Sequence, residues 1–148
     1  MTTHDLPPTP GYLAGEHVRL REELGLLTRP AAEELAADQA QQAAWLAELR
    51  RVGLLGDDPS VAPSVDDVVL ALHRYLGRTP SKLLALSLAD AVGDLRTQNQ
   101  PGTTDEYPNW RVPLRGRNGR KLQLEDVFTD SRAATLAGAM KHIVHPPV

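Results

Sequence analysis

A histidine and an aspartate stand side by side at positions 4 and 5, inside the opening stretch MTTHDLPPTPGY. An imidazole next to a carboxylate is a combination that enzymes use to bind polar ligands and to stabilise charge, so His4 and Asp5 are a candidate catalytic pair. The prolines that follow support another interpretation, in which Asp5 is a turn or cap residue before a proline-rich loop. Taken alone, the dipeptide favours the turn.

A second stretch with chemical potential is NQPGTTDEYPNWR, residues 99–111, which combines amide, aromatic, acidic and arginine side chains. Carbohydrate sites use these residue types, because amides bind hydroxyl groups and Trp or Tyr packs on a sugar ring. In the alternative interpretation, Trp110 and Tyr107 only close one edge of the core. The composition of the loop leaves both interpretations open.

Two further candidates are weaker. His142 and His145 lie three residues apart, but a zinc site needs a third or fourth ligand, and none follows at a recognisable spacing. The basic stretch RGRNGRK, residues 115–121, lacks the interleaved aromatic residues of single-strand nucleic-acid binders. Its Asn118-Gly119 pair predicts a tight, solvated turn instead.

The composition limits the function classes. A chain of 148 residues with 41% hydrophobic residues fits one folded domain, and a net charge of −3 gives no general attraction to nucleic acid or anionic membranes. Cysteine is absent, which excludes disulfides and thiolate chemistry. Without a membrane-length apolar run or a signal peptide, we expect a soluble cytoplasmic protein that has no metal, cofactor, nucleic-acid or membrane partner.

The elements that must position these residues are mostly helical. Apolar periodicity predicts helices over residues 30–52 and 64–77, and again toward the end, over 122–144. The short apolar run Leu83–Leu88 is compatible with a buried helix or strand, and its place after an amphipathic helix favours a buried parallel strand. Residues 94–121 are turn-rich, as functional loops often are.

The first part of the chain has mixed signals. Three prolines between residues 7 and 10 interrupt any helix there, and a weak helical pattern follows over residues 17–27. His17 and His73 each stand alone on a predicted helix, so we interpret both as structural residues.

The two loop motifs together, TTHDLPPTPGYLAG and NQPGTTDEYPNWR, resemble the C-terminal part of bacterial 4-alpha-glucanotransferases, the amylomaltases or disproportionating enzymes. The intervening order is also similar, with LREELGLL, an Ala-rich helical insert and then TPSKLLALSLADAVGD, so the resemblance covers nearly the whole chain. Its most specific element is Asn-x-Pro-Gly-Thr followed by Pro-Asn-Trp-Arg, because His-Asp is shared widely among alpha-glucan enzymes with barrel catalytic domains.

The resemblance implies a (β/α)8 barrel enzyme that cuts an alpha-1,4 glucan and passes the glycosyl group to another sugar with retention, through a covalent intermediate. Such enzymes use three carboxylates, a nucleophile, an acid/base and a transition-state stabiliser. Asp5 matches the stabiliser, and His4 matches a neighbouring sugar-binding histidine. Asn99, Trp110 and Arg111 match the active-site loop near the bound glucan.

The resemblance also implies that the chain is a fragment. The family's nucleophile and acid/base precede the His-Asp motif, no motif among residues 6–148 replaces them, and a barrel takes about 250 residues. We therefore expect a mainly helical chain with at most one or two short strands, equivalent to the C-terminal portion of the barrel plus a helical insert.

Within this single unit, residues 1–27 would form an active-site loop and helix, 28–80 the helical insert, and 81–148 the last barrel strand, a second active-site loop and the final helix. We expect the chain alone to be inactive, to retain affinity for maltooligosaccharides or alpha-1,4-glucan, and to self-associate through surfaces that a barrel would cover. The alternative is a stand-alone helical interaction module without sugar chemistry, which the helical middle of the chain would also explain.

Overall fold

The computed structural model describes residues 5–144, except for the side chains of His142 and Val144. Helices dominate this part of the chain, and it contains no β-strand; two residues, Arg115 and Lys121, form a single antiparallel bridge. The expectation of a mainly helical chain is confirmed. The helices are α1 Thr9–Leu13, α2 Glu16–Glu23, α3 Ala31–Arg51, α4 Val65–Gly77, α5 Leu88–Val92, α6 Leu124–Thr129 and α7 Ser131–Val144.

The two central helices begin and end where local sequence signals place them. The Ser64 hydroxyl accepts a hydrogen bond from the Asp67 N–H at 3.1 Å, and the Asp67 carboxylate accepts one from the Ser64 N–H at 3.2 Å. This reciprocal capping box fixes the start of α4. Gly53 follows α3 with a φ of 70°, a left-handed conformation that glycine adopts without a Cβ clash.

Helix α4 lies at the centre of the fold because its two sides enter two apolar clusters. On one side, Val68 and Leu72 pack with Leu49 of α3. On the other side, Val69 packs with Ala91 of α5 and Leu136 of α7. The amphipathic pattern of α4 is therefore what connects the N-terminal helices to the C-terminal one.

Helix α1 is a correction to the sequence analysis, which placed no helix among the prolines. Pro10 lies in the first turn of α1, where a backbone N–H has no helical partner to lose. The short helix also depends on Gly11, since a Cβ there would overlap the backbone carbonyl of Leu95. Proline and glycine thus allow α1 to lie directly against the chain that follows α5.

The run Leu83–Leu88 is a second correction, because it does not form a buried strand in this structure. Residues 81–87 are irregular, Leu88 begins α5, and Leu83 is 92% exposed. A strand is stable when a neighbouring strand pairs with its backbone, and the described part of the chain supplies none. Its correspondence to the last strand of a barrel stays a prediction.

The C-terminal elements follow the predicted pattern. Gly119 has a φ of 77° in the tight turn, and the Gly116 N–H donates to the carbonyl of Arg120 at 3.0 Å. Asp130 caps α7 by accepting from the Arg132 N–H at 2.8 Å. None of the helices in residues 5–144 is long and apolar enough to cross a membrane.

Candidate functional site

The two chemically interesting stretches of the sequence meet in the structure. Asn99 donates a hydrogen bond from Nδ2 to Oδ1 of Asp5 at 2.7 Å. Asp5 is exposed and Asn99 is partly buried, so the pair lies at the protein surface. His4, the other half of the His-Asp motif, lies outside the described residues.

The Asp5 segment is attached to the body of the protein four residues later, at Thr9. The Thr9 N–H donates to Oδ1 of Asp90 at 2.6 Å, and the Thr9 hydroxyl donates to Oδ2 at 3.0 Å. Asp90 lies on α5 and is only 5% exposed. This buried carboxylate was not singled out by the sequence, because an Asp in an apolar run gives no signal of its long-range partner.

The loop that carries Asn99 is shaped by Asn109, another residue that sequence reasoning missed. Its Oδ1 accepts from the Gln100 N–H at 2.7 Å, and its Nδ2 donates to the Thr103 hydroxyl at 2.8 Å. That hydroxyl donates in turn to the Gln100 carbonyl at 2.7 Å. One amide side chain therefore closes the turn next to Asn99. The sequence analysis named Asn109 only as part of the Pro-Asn-Trp-Arg element and did not predict this role.

The two aromatic residues of the loop have different positions. Tyr107 is partly buried and its hydroxyl donates to the carbonyl of Thr97 at 2.7 Å; burial raises the pKa of its phenol above the ordinary value. Trp110 is 62% exposed. One of the two open interpretations was that both rings close an edge of the core. That interpretation fits Tyr107 and does not fit Trp110.

Trp110 is held in an unusual backbone conformation. Its φ is 62°, a left-handed value that bulky residues rarely adopt, and its N–H donates to the Gln98 carbonyl at 2.8 Å. Arg111 follows it, exposed, with its N–H donating to the Pro108 carbonyl at 2.9 Å. The turn presents the indole and the guanidinium at the protein surface at a conformational cost of about 1–3 kcal/mol.

A groove of about 520 Å³ begins beside the Asp5 segment, where Leu6 and Pro7 form part of its wall. Its other walls include three aromatic rings, those of Tyr12, Trp45 and Tyr75. The volume is within the range of roughly 300–1,000 Å³ that is typical of small-molecule sites. The groove was not predicted, because its rings come from α1, α3 and α4 and share no local motif.

Tyr12, one of the residues that line this groove, also belongs to a cluster with His17 and Asp38. The Tyr12 ring stacks on His17 with centroids 4.9 Å apart, and its hydroxyl donates to Asp38 at 3.2 Å. His17 also contacts Asp38, with 2.8 Å between Nε2 and Oδ2. Burial, followed by the charge and the hydrogen bond of Asp38, raises the pKa of Tyr12 to about 12. Tyr12 is therefore a neutral phenol at physiological pH.

The metal hypothesis for His142 and His145 falls on groups that the structure does not describe. Within the described side chains of residues 5–144, no three His, Asp or Glu residues are grouped as a metal site requires.

Comparison with known sequences gives a consistent result. The family model described as 4-alpha-glucanotransferase, glycoside hydrolase family 77, matches residues 1–118. The 4-alpha-glucanotransferases of Mycobacterium tuberculosis H37Rv and Mycobacterium bovis are each 66% identical to this chain over all 148 residues. A 4-alpha-glucanotransferase of Haemophilus influenzae is 28% identical over 114 residues, which is 73% of this chain and 16% of that protein.

Comparison with solved structures agrees. The crystal structure of amylomaltase from Corynebacterium glutamicum matches with a TM-score of 0.80 and 41% sequence identity, covering 94% of this chain and 21% of that one. The chain spans 20% of the length of the mycobacterial relatives. The mainly helical fold described above thus corresponds to one part of the longer Corynebacterium glutamicum amylomaltase.

Proposed function

This chain belongs to the 4-alpha-glucanotransferase family, and we propose that it carries the stabilising corner of a site that transfers segments of alpha-1,4-glucan between maltooligosaccharides. Asp5 is the transition-state stabiliser in this proposal. His4, Asn99, Trp110 and Arg111 bind the glucan.

The observation that carries the proposal is the hydrogen bond from Asn99 to Asp5. These residues belong to the two motifs whose resemblance to the family is strongest, and they are 94 positions apart. A contact between two distant motifs is expected of residues that share one site. If each motif were only a turn, neither motif would need the other, and nothing would favour a contact between them.

The chemistry assigned to Asp5 follows from glycosyl transfer itself. As the glycosidic bond breaks, positive charge of oxocarbenium type develops on the sugar ring, and a fixed carboxylate stabilises that charge more in the transition state than in the ground state. The Asn99 amide orients the carboxylate by donating to Oδ1. Exposed Trp110 offers an aromatic face for a sugar ring, and Arg111 offers hydrogen-bond donors for hydroxyl groups.

Retaining transfer also needs a nucleophile and an acid/base, two carboxyl groups about 5 Å apart on either side of the bond. We assign neither role to a residue of this chain, and we propose that the 148 residues alone do not transfer glucan. The test is incubation with maltotriose, for which we expect neither glucose nor longer oligomers by chromatography. Formation of both products would overturn this part of the proposal.

Glucan binding is tested separately by NMR titration of the chain with maltoheptaose. We expect shifts of the backbone amides of Asp5 and residues 99–111, and no equivalent shifts with a cello-oligosaccharide of the same length. Trp110→Ala should weaken the effect, whereas Phe128→Ala should not, because Phe128 is an exposed aromatic residue on α6 that lies outside both motifs. Shifts that are absent, or equal for both sugars, would reject a glucan site at Asp5.

A further inference from the structure

We propose that Asp90 is a positioning residue for the Asp5 carboxylate, an inference that rests on the function proposed above. Asp90 touches neither the glucan nor Asp5 in this proposal. It acts through Thr9, by fixing the segment from which Asp5 projects.

Both carboxylate oxygens of Asp90 accept hydrogen bonds from Thr9. Oδ1 of Asp90 accepts the Thr9 N–H at 2.6 Å, and Oδ2 accepts the Thr9 hydroxyl at 3.0 Å. Both residues are buried, Asp90 to 95% and Thr9 more completely still. Hydrogen bonds to an ionised carboxylate are stronger than neutral ones, and loss of one partner leaves a buried polar group unsatisfied.

The chain between Thr9 and Asp5 is stiff. Pro7 and Pro8 lie between them, and each proline fixes its own φ and restricts the residue before it. Because the segment is stiff, fixing Thr9 against α5 also restricts the positions that Asp5 can occupy. A flexible Gly-Ser connection of equal length would not do so.

The N-terminal segment, residues 5–11, and the segment of residues 90–99 contact each other at three places. Asn99 contacts Asp5, the Asp90 carboxylate contacts Thr9, and the backbone of Leu95 lies directly against Gly11. Asp90 and Asn99 are on consecutive parts of the chain, α5 and the loop after it. Both residues that contact the Asp5 segment therefore come from one continuous stretch of chain, residues 90–99.

His73 is a further neighbour of Asp90. Its Nδ1 is 2.8 Å from the carbonyl of Val69, which can only accept, so Nδ1 carries a hydrogen. Its Nε2 faces Asp90 Oδ2 at 3.9 Å, and His73 is itself buried. This places an imidazole ring near the same carboxylate oxygen, Oδ2, that accepts the hydrogen bond from the Thr9 hydroxyl.

A purely structural role for Asp90 predicts a different outcome from a positioning role, and side-chain NMR separates them. The chain has only three asparagines, so selective labelling resolves the side-chain amide of Asn99 from those of Asn109 and Asn118. Asp5→Ala defines the signal of an Asn99 that has lost its acceptor. Thr9→Val removes one hydrogen bond to Asp90 without changing the shape of the side chain, and Thr9→Ser keeps it.

We expect the Asn99 signal of Asp90→Ala and Thr9→Val to move most of the way toward that of Asp5→Ala, and Thr9→Ser to remain near the parent chain. Val127→Ala is the matched control, because Val127 is buried on α6, outside both segments, and its truncation lowers stability. If the Asp90→Ala chain does not fold, the comparison of Thr9→Val with Thr9→Ser decides.

An Asn99 signal that stays unchanged in Thr9→Val, or that moves equally in Val127→Ala, would overturn the positioning role. The measurement uses no sugar, so it can fail while the maltoheptaose titration succeeds. It can also succeed while that titration fails. The two proposals are therefore tested independently.

Discussion

The side-chain amide of Asn99 donates a hydrogen bond to the carboxylate of Asp5 at 2.7 Å, although the two residues are 94 positions apart in the sequence. The contact is supported on both sides. Asp90 holds Thr9 on the Asp5 side, and Asn109 closes the turn beside Asn99. The pair is therefore a feature of the folded chain rather than a chance approach of two exposed side chains.

Replacing Asn99 by Asp should convert this attraction into repulsion. At neutral pH two ionised carboxylates would face each other, which disfavours the contact. Near pH ~4, about the ordinary pKa of Asp, one of them becomes protonated and can donate to the other. We expect Asn99→Asp to be less stable than Asn99→Ala at neutral pH, and this difference to shrink on acidification. Urea unfolding at both pH values measures it, and a gap independent of pH would contradict the contact.

Tyr12 should make stability fall in strongly alkaline solution. Burial and Asp38 raise the pKa of Tyr12 from 10.0 to about 12, so between these values the folded chain keeps a proton that the unfolded chain releases. Stability from this source is complete below pH 10 and is lost as the pH rises through 12. Tyr12→Phe should lose this dependence on pH. Spectrophotometric titration near 295 nm should show one tyrosine fewer among those that ionise late.

Gly11→Ala should detach α1 from the chain after α5. The added methyl group would overlap the Leu95 carbonyl, and a backbone atom cannot move aside as a flexible side chain can. Gly138→Ala is the matched control, since nothing lies near its Cβ position on α7 and alanine favours a helix by about 1 kcal/mol. Chemical denaturation should show a loss for the first variant and no loss for the second. Equal effects would contradict the close packing of α1.

Leu83 should contribute to self-association of the chain. It is 92% exposed in an irregular segment, and several other large apolar side chains are also exposed, among them Phe128 at 76%. Leu83→Lys should lower the apparent mass seen by light scattering at high protein concentration. Ala85→Lys adds the same charge two residues away and should have a smaller effect. A chain that stays monomeric at all concentrations would contradict the prediction.

The sequence predicted the parts of the fold that depend on neighbours along the chain. The helix over residues 64–77 was predicted from apolar periodicity, which is a local signal, and α4 confirms it. The strand at Leu83–Leu88 was wrong for this structure because a strand depends on a partner that local sequence does not contain. Helix α1 was missed because its stability comes from packing against Leu95 and not from its own propensity.

The candidate site was predicted unevenly for the same reason. Asp5 and Asn99 were connected by resemblance to a family, since nothing in their residue types indicates that they touch. Asp90 and Asn109 escaped notice because their roles consist of hydrogen bonds to distant or irregular backbone. Such bonds follow from the completed fold and leave no periodic pattern.

The long separation of Asp5 and Asn99 also has a kinetic meaning. Closing a loop of this length costs about 2 kcal/mol more in chain entropy than closing a loop of ten residues. The chain loses this entropy before the contact contributes any stabilisation. Helices α2, α3 and α4 lie within the loop and can form from contacts between near neighbours. During synthesis Asp5 leaves the ribosome 94 residues ahead of Asn99, so their contact cannot form until Asn99 has also been synthesised. The contact between Asp5 and Asn99 can therefore form only after this long loop has closed.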